Sequence, residues 1–105
     1  MKMIVAVIRP ERLQNVKDAL RCNGIMGMTM VPVKGRGSQS GINISTRTGT
    51  LRVDEIDKMM LEIVVEDDQK QLTIDTVKEA ALTGHIGDGR IFVIPVEESI
   101  KVHDE

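Results

Sequence analysis

Four short apolar runs, with a helical repeat after the first and the third, constrain this 105-residue chain more than any other feature. Lys2–Ile8 is rich in Val and Ile and reads as a buried strand. Pro10 follows at a first helical position, where its missing N–H is harmless. Leu13, Val16 and Leu20 then recur on one helical face, and Gly24 sits where a C-terminal cap belongs. Ile25–Lys34 reads as a second strand with Thr29, Val31 and Val33 on one face. Pro32 cannot donate to a ladder, which puts that strand at an edge or a bulge. In Lys58–Val65, Met59, Leu61, Ile63 and Val65 face one way, and Lys58, Met60, Glu62 and Val64 the other. Asp67 or Asp68 is placed to cap a second helix with Ile74, Val77 and Ala81 on its inner face. Thr83–Gly89 is a glycine turn, and Ile91–Val96 is a fourth strand that stops near Pro95. The polar tail, Glu97–Glu105, offers one further short strand.

The order strand, helix, strand, long loop, strand, helix, strand predicts an α+β, ferredoxin-like βαββαβ sandwich, with two helices on one face of a four-stranded sheet. The length suits a single domain over residues 1–105. The uncovered sheet face, to which Met28, Met30, Met60 and Val64 are assigned, predicts self-association. Between strands 2 and 3, Gly35–Val53 is rich in Gly, Ser and Thr and shows no sustained apolar period. A structureless stretch this long inside a compact domain is usually functional or disordered.

Composition narrows the function classes. The net charge is −2 and Phe92 is the one aromatic residue, so neither a basic face nor a stacking platform for nucleic acid is present. No apolar run reaches the roughly 18–20 residues that span a bilayer, so no membrane insertion is expected. The single Cys22 and a start that runs straight into a strand predict a reducing, cytoplasmic setting. No Ser/His/Asp or Cys/His set is evident, which argues against an enzyme. His85 and His103 lack metal-ligand spacing.

The residues that can carry chemistry are anion binders. Gly84, Gly87 and Gly89 let backbone N–H groups approach an anion without a Cβ in the way, and Arg90 adds a charge-assisted fork. Glycine spacing alone fits a plain helix-to-strand turn capped by Gly84 better. Gly35-Arg36-Gly37-Ser38-Gln39-Ser40-Gly41 offers a second cradle or a flexible loop base, and it fits no P-loop pattern. Lys58 and Glu62 share a strand face and suit a carboxylate ligand and a base or ribose, or else form an exposed polar pair. Thr46, Arg47, Thr48 and Arg52 are contact candidates in the long loop.

These stretches resemble one known family over nearly the whole chain. Thr83-x-x-x-Gly87-Asp88-Gly89-Arg90-Ile91-Phe92 is similar to the C-terminal signature of the PII (GlnB/GlnK-like) nitrogen-signalling family. Arg9-Pro10, Gly27-Met28-Thr29, Val33-Lys34-Gly35, Gly37-x-Gln39-x-Gly41 and Glu62-Ile63-Val64-Val65 also match. The resemblance implies a trimer that binds ATP or ADP between subunits. Its nucleotide residues would be Met28, Thr29, Gly35, Arg36, Gly37, Gln39, Glu62, Val64, Gly87, Asp88, Gly89, Arg90, Lys101 and His103. It implies 2-oxoglutarate at Gly37, Gln39, Gly41, Lys58 and Gly87, beside a Mg²⁺ on ATP touched by Gln39. The long loop would act on a partner, with Arg47 placed to plug an ammonium channel.

Several positions depart from the family pattern. Leu51 replaces a Tyr that is uridylylated in many bacterial members, so that modification is impossible here, and Ser45 lies one residue from a site phosphorylated in some relatives. Ser38 replaces a usual Arg, and Lys101 and His103 replace two Arg residues that reach a neighbour's phosphates. Lys and His cannot form the bidentate fork, which implies weaker ATP binding that depends on pH through His103. Ile44-Ser-Thr-Arg-Thr-Gly looks like the loop of PII-like proteins encoded beside nitrogenase genes in methanogenic archaea. That implies nitrogenase as the target and a homotrimer or a hetero-oligomer with a paralog; an ammonium transporter or glutamine synthetase is the alternative. Outside this class stands a ferredoxin-like metal-binding or enzymatic trimer.

Overall fold

The computed structural model describes residues 1–36, 42–53 and 55–104. Strand β1 (Lys2–Ile8) leads through one 3₁₀ turn (Pro10–Arg12) into helix α1 (Leu13–Cys22). Strand β2 (Thr29–Gly35), a hairpin of β3 (Ile42–Thr46) and β4 (Gly49–Val53), and the long strand β5 (Ile56–Val65) follow. A second 3₁₀ turn (Asp67–Gln69), helix α2 (Lys70–Ala81) and strand β6 (Gly89–Pro95) complete the chain. The main sheet has the order β2-β5-β1-β6, and every pairing in it is antiparallel. With both helices on one face, this is the ferredoxin-like α+β fold that the pattern predicts.

Alternation decides which side of the sheet is buried. In β1, Ile4, Ala6 and Ile8 are buried beneath the helices. Their register partners on β5 are Ile63, Leu61 and Met59, of which the first two are buried and Met59 packs against the core. From the helices, Val16 and Leu20 of α1 and Val77 and Ala81 of α2 close the layer, with Leu13 and Ile74 beside them. Thr73 and Thr76 are also buried on the inner face of α2, where apolar periodicity does not reveal them. Their hydroxyls donate to the carbonyls of Gln69 (2.8 Å) and Leu72 (2.7 Å) one turn back, which makes burial tolerable.

The ends of the helices are held by specific contacts. Gly24 takes φ +77°, and its N–H and that of Ile25 bond back to Arg21 and Leu20 at 3.0 and 2.9 Å. That is a Schellman cap, and it buries Ile25 against the last turn of α1. It also moves the start of β2 from the expected Ile25 to Thr29. Arg12 donates twice to the carbonyl of Ala80, at 3.0 and 2.7 Å, tying α1 to the C-terminal end of α2. Neither Asp67 nor Asp68 caps a helix through its side chain. Asp67 is drawn instead to the amino group of Met1, 2.8 Å away, and to Lys2.

Three further expectations change. The segment between β2 and β5 holds a β-hairpin, β3–β4, in its own two-stranded sheet. Ile42 pairs with Val53 and Ile44 with Leu51, and the two-residue turn Arg47–Thr48 joins the strands. The Thr46 hydroxyl donates to the Gly49 carbonyl (2.7 Å), and Gly49 takes φ +137°, a value an L side chain rarely adopts. The alternating β-branched residues were diluted by Ser, Thr and Gly, which hid the period. Met30 pairs with buried Leu61 and so belongs to the helix side, and Met28 packs against the core. Met60 and Val64 remain on the uncovered face, with Phe92 exposed there opposite Val5. The tail carries no strand among its described residues, 97–104. Pro32 and Pro95 both lie on edge strands, as a residue without an N–H requires.

Leu61 sits at the centre of this layer, so Leu61→Ala is expected to lower stability by about 2–5 kcal/mol in urea denaturation.

Candidate functional site

Antiparallel register brings three stretches of the chain to one end of the sheet. Ile8, the last residue of β1, pairs with Met59 on one side and Gly89 on the other. Lys58 and the glycine turn therefore meet across the end of β1, and Val33 pairs with Lys58 to bring Gly35 and Arg36 alongside. The result is a cleft of about 590 Å³ lined by Val7, Gly35, Arg36, Lys58, His85, Ile86, Gly87, Asp88, Gly89, Arg90 and Phe92. That size suits a small-molecule ligand. Three cationic side chains, Arg36, Lys58 and Arg90, line it, and Lys58 donates to the carbonyl of Gly87.

A second hollow of about 370 Å³ lies between α2 and β6. Beyond the shared Asp88, Gly89 and Arg90 it is lined by aliphatic side chains and Lys78. It lacks converging polar groups from several strands, so the cationic cleft is the better candidate.

The glycine turn is built around Asp88, whose side chain is 19% exposed. Its Oδ2 accepts the backbone N–H of Thr83 (2.8 Å) and of Gly84 (2.9 Å). Its Oδ1 accepts the Thr83 hydroxyl and Nε of Arg9 (2.9 Å). Gly89 takes φ +122°, and a Cβ there would lie 1.9 Å from the carbonyl oxygen of Val7, so only glycine fits. At Gly87, φ +95°, a Cβ would lie 3.5 Å from Nη2 of Arg9 and 3.7 Å from Nζ of Lys58, so both cations stand against the turn there.

The structure brings Gly35, Arg36, Lys58, Gly87, Asp88, Gly89 and Arg90 together in the cleft. Met28, Thr29, Glu62, Val64, Lys101 and His103 do not line it in their own chain. Glu62 is four residues beyond Lys58 on the same sheet face, opposite Thr29 and Val5. Lys101 and His103 lie in the exposed tail, and Arg47 is exposed in the hairpin turn. Gly37, Ser38, Gln39 and Gly41 fall outside the described residues. Arg9 is the contributor that the sequence does not flag as a site residue. Its partner Asp88 is 79 positions away, and no local pattern predicts that pairing.

The cleft suits the phosphates of a nucleotide: three cations, and an open glycine backbone on one wall. Asp88 is the one carboxylate among the described lining residues, and its two oxygens already accept four donors. It has no capacity left for a metal ion.

The Thr83 hydroxyl holds the Asp88 carboxyl far below its ordinary value of 3.8, helped by the Thr83 N–H, the Arg9 guanidinium and the Gly84 N–H, with desolvation opposing. A carboxyl whose folded pKa is depressed contributes stability above its unfolded pKa, and loses it as pH falls toward the folded value. Asp88→Asn is therefore expected to lower Tm most at neutral pH, with the gap to the wild type narrowing below about pH 4. A pH series of thermal melts checks this; a gap independent of pH would contradict it.

No helix among the described residues is long and apolar enough to cross a membrane. The family model for nitrogen regulatory protein P-II matches residues 1–105. Among curated relatives, nitrogen regulatory protein P-II 2 of Methanothermobacter thermautotrophicus is 46% identical over 97% of this chain and 89% of its own. P-II 1 of the same organism matches at 46% over the same shares. Nitrogen regulatory protein P-II of Microchaete diplosiphon is 44% identical over 97% of this chain and 91% of its own. With its ferredoxin-like fold and signature glycine turn, the chain belongs to the P-II nitrogen regulatory protein family.

Proposed function

We propose that this chain is a non-catalytic sensor of energy and nitrogen status, which binds ATP or ADP and 2-oxoglutarate and acts on a partner protein through its β3–β4 hairpin. The observation that carries the reading is the convergence of Arg36, Lys58 and Arg90 on the open backbone of Gly87–Gly89. Three cations with a glycine wall match a polyphosphate, and Lys58 offers a charge-assisted partner for a carboxylate. Mg²⁺ would be held by the ligand's phosphate oxygens and Gln39. It would neutralise phosphate charge and offer open positions to a dicarboxylate.

A homotrimer, or a hetero-oligomer with a paralog, follows from the same reading. The sheet face opposite the helices carries Met60, Val64 and Phe92 without cover from a helix among the described residues, which favours association. Met28, Thr29, Glu62, Val64, Lys101 and His103 stand away from the cleft of their own chain, so a nucleotide that reaches them lies between subunits. Arg36 directly follows β2 and precedes the hairpin in sequence, so ligand occupancy at the strand end can bias the hairpin's ensemble. Nitrogenase is the target proposed from the hairpin sequence. Exposed Arg47 in the hairpin turn favours a second reading, regulation of an ammonium transporter; glutamine synthetase is a further candidate.

Calorimetric titration with ATP, ADP and 2-oxoglutarate, alone and combined, tests the ligands. ATP and ADP are expected to bind, and 2-oxoglutarate to bind in the presence of Mg-ATP. Lys58→Ala should weaken 2-oxoglutarate roughly tenfold or more, the loss of one charge-assisted hydrogen bond. No nucleotide binding, or unchanged 2-oxoglutarate affinity in that variant, would overturn the assignment. Capture assays against nitrogenase, ammonium transporter and glutamine synthetase separate the targets, and Arg47→Ala should weaken capture of an ammonium transporter.

A further inference from the structure

Resting on the nucleotide reading above, we infer that the Arg9 side chain is the positioning group of the cleft and the Asp88 carboxylate its anchor, so that neither side chain contacts the ligand and together they hold the backbone that does.

The glycine turn has little steric guidance of its own. Gly84, Gly87 and Gly89 all take positive φ, a region where glycine has the most freedom. An open, preorganised anion wall needs that freedom removed by hydrogen bonds. Asp88 removes it on one side by fixing the N–H groups of Thr83 and Gly84. Arg9 removes it on the other: Nη2 donates to the carbonyl of Ile86 at 2.7 Å while Nε holds Asp88 at 2.9 Å. One planar group thus spans the turn on both sides of Gly87. It projects from the residue that follows β1, whose own strand pairs with β6. The sheet's position is in this way transmitted to the turn.

The same contacts fill the acceptors of Asp88 and commit Nε and Nη2 of Arg9 to the turn. Two carboxylate oxygens present about four lone-pair sites, and four donors fill those of Asp88. Neither a ribose hydroxyl nor a metal finds an acceptor there. The charge of Arg9 is met by Asp88 and, at 3.8 Å, by Glu11. Arg36 and Arg90 are left as the cleft cations for phosphate, and Lys58 for the carboxylate of 2-oxoglutarate. A lysine at position 9 cannot reproduce the fork, because one ammonium on a flexible stem lacks the fixed geometry that serves both acceptors.

Two measurements on the full chain test this. The first is amide hydrogen exchange without ligand. Arg9→Ala should speed exchange at Thr83 and Gly84 while leaving the amides of Ile4 and Leu61 protected; unchanged exchange in the turn overturns the proposal. This readout stands even if the protein binds no nucleotide, an outcome that would sink the functional reading instead. The second is ATP titration at several salt concentrations. Arg9→Ala should weaken ATP roughly 10- to 100-fold, the size of loss that follows removal of an orienting partner at metal sites. Arg9→Lys should recover only part of this. The salt dependence of binding should match the wild type in Arg9→Ala and be shallower in Arg90→Ala, because only the latter removes a charge that meets the ligand. Arg9→Ala and Asp88→Ala should be non-additive in ATP affinity, whereas Arg9→Ala and Arg90→Ala should add. A shallower salt slope in Arg9→Ala, or additivity with Asp88→Ala, would make Arg9 a direct ligand contact and overturn the inference. A lowered Tm with unchanged ATP affinity would reduce it to a structural link and overturn it equally.

Discussion

The antiparallel register of β1 between β5 and β6 is the constraint from which the cleft follows. Ile8 pairs with Met59 and with Gly89, so the chain on either side of the central strand ends at the same level. Lys58 is one residue before Met59, and the glycine turn immediately precedes Gly89. A slip of one residue would send Lys58 to the helix side and Leu61 to the open side, because strand side chains alternate. The buried pairs Ile4–Ile63 and Ala6–Leu61 forbid that slip. The core thus does more than stabilise the fold. It sets which charged groups face one another, some distance from where the hydrophobic energy is gained.

At the strand ends, the constraint passes from packing to hydrogen bonding. Gly89 touches the Val7 backbone so closely that a methyl group is excluded, which fixes where β6 begins. The turn before it is too rich in glycine to hold itself, and Asp88 and Arg9 supply what sterics do not. With those two occupied in holding the turn, the cations left along the cleft lie at the ends of β2, β5 and β6. A ligand bridging them would link three strands, one of which, β2, precedes the hairpin in sequence.

The sequence disclosed the fold because the core strands alternate cleanly and the helical faces repeat at Leu13, Val16 and Leu20 and at Ile74, Val77 and Ala81. It disclosed the glycine turn as well, since its run of residues is long and specific. Other features were hidden for physical reasons. Thr73 and Thr76 look polar, yet they bury by bonding back to their own helix. The β3–β4 hairpin is short, and its β-branched residues are interspersed with Ser, Thr and Gly. Met30 was assigned to the open face, whereas its pairing with Leu61 places it on the helix side. The role of Arg9 could not be read from its position alone, because its partners Ile86 and Asp88 lie at the other end of the chain.

The central claim is that occupancy of the cleft is felt by the hairpin. Hydrogen exchange over residues 42–53, measured without ligand and with Mg-ATP plus 2-oxoglutarate, tests it most directly. The account predicts that exchange in the hairpin changes when both ligands are present and that Lys58→Ala abolishes the part due to 2-oxoglutarate. Ligands bound in the cleft with hairpin exchange unaltered would contradict it.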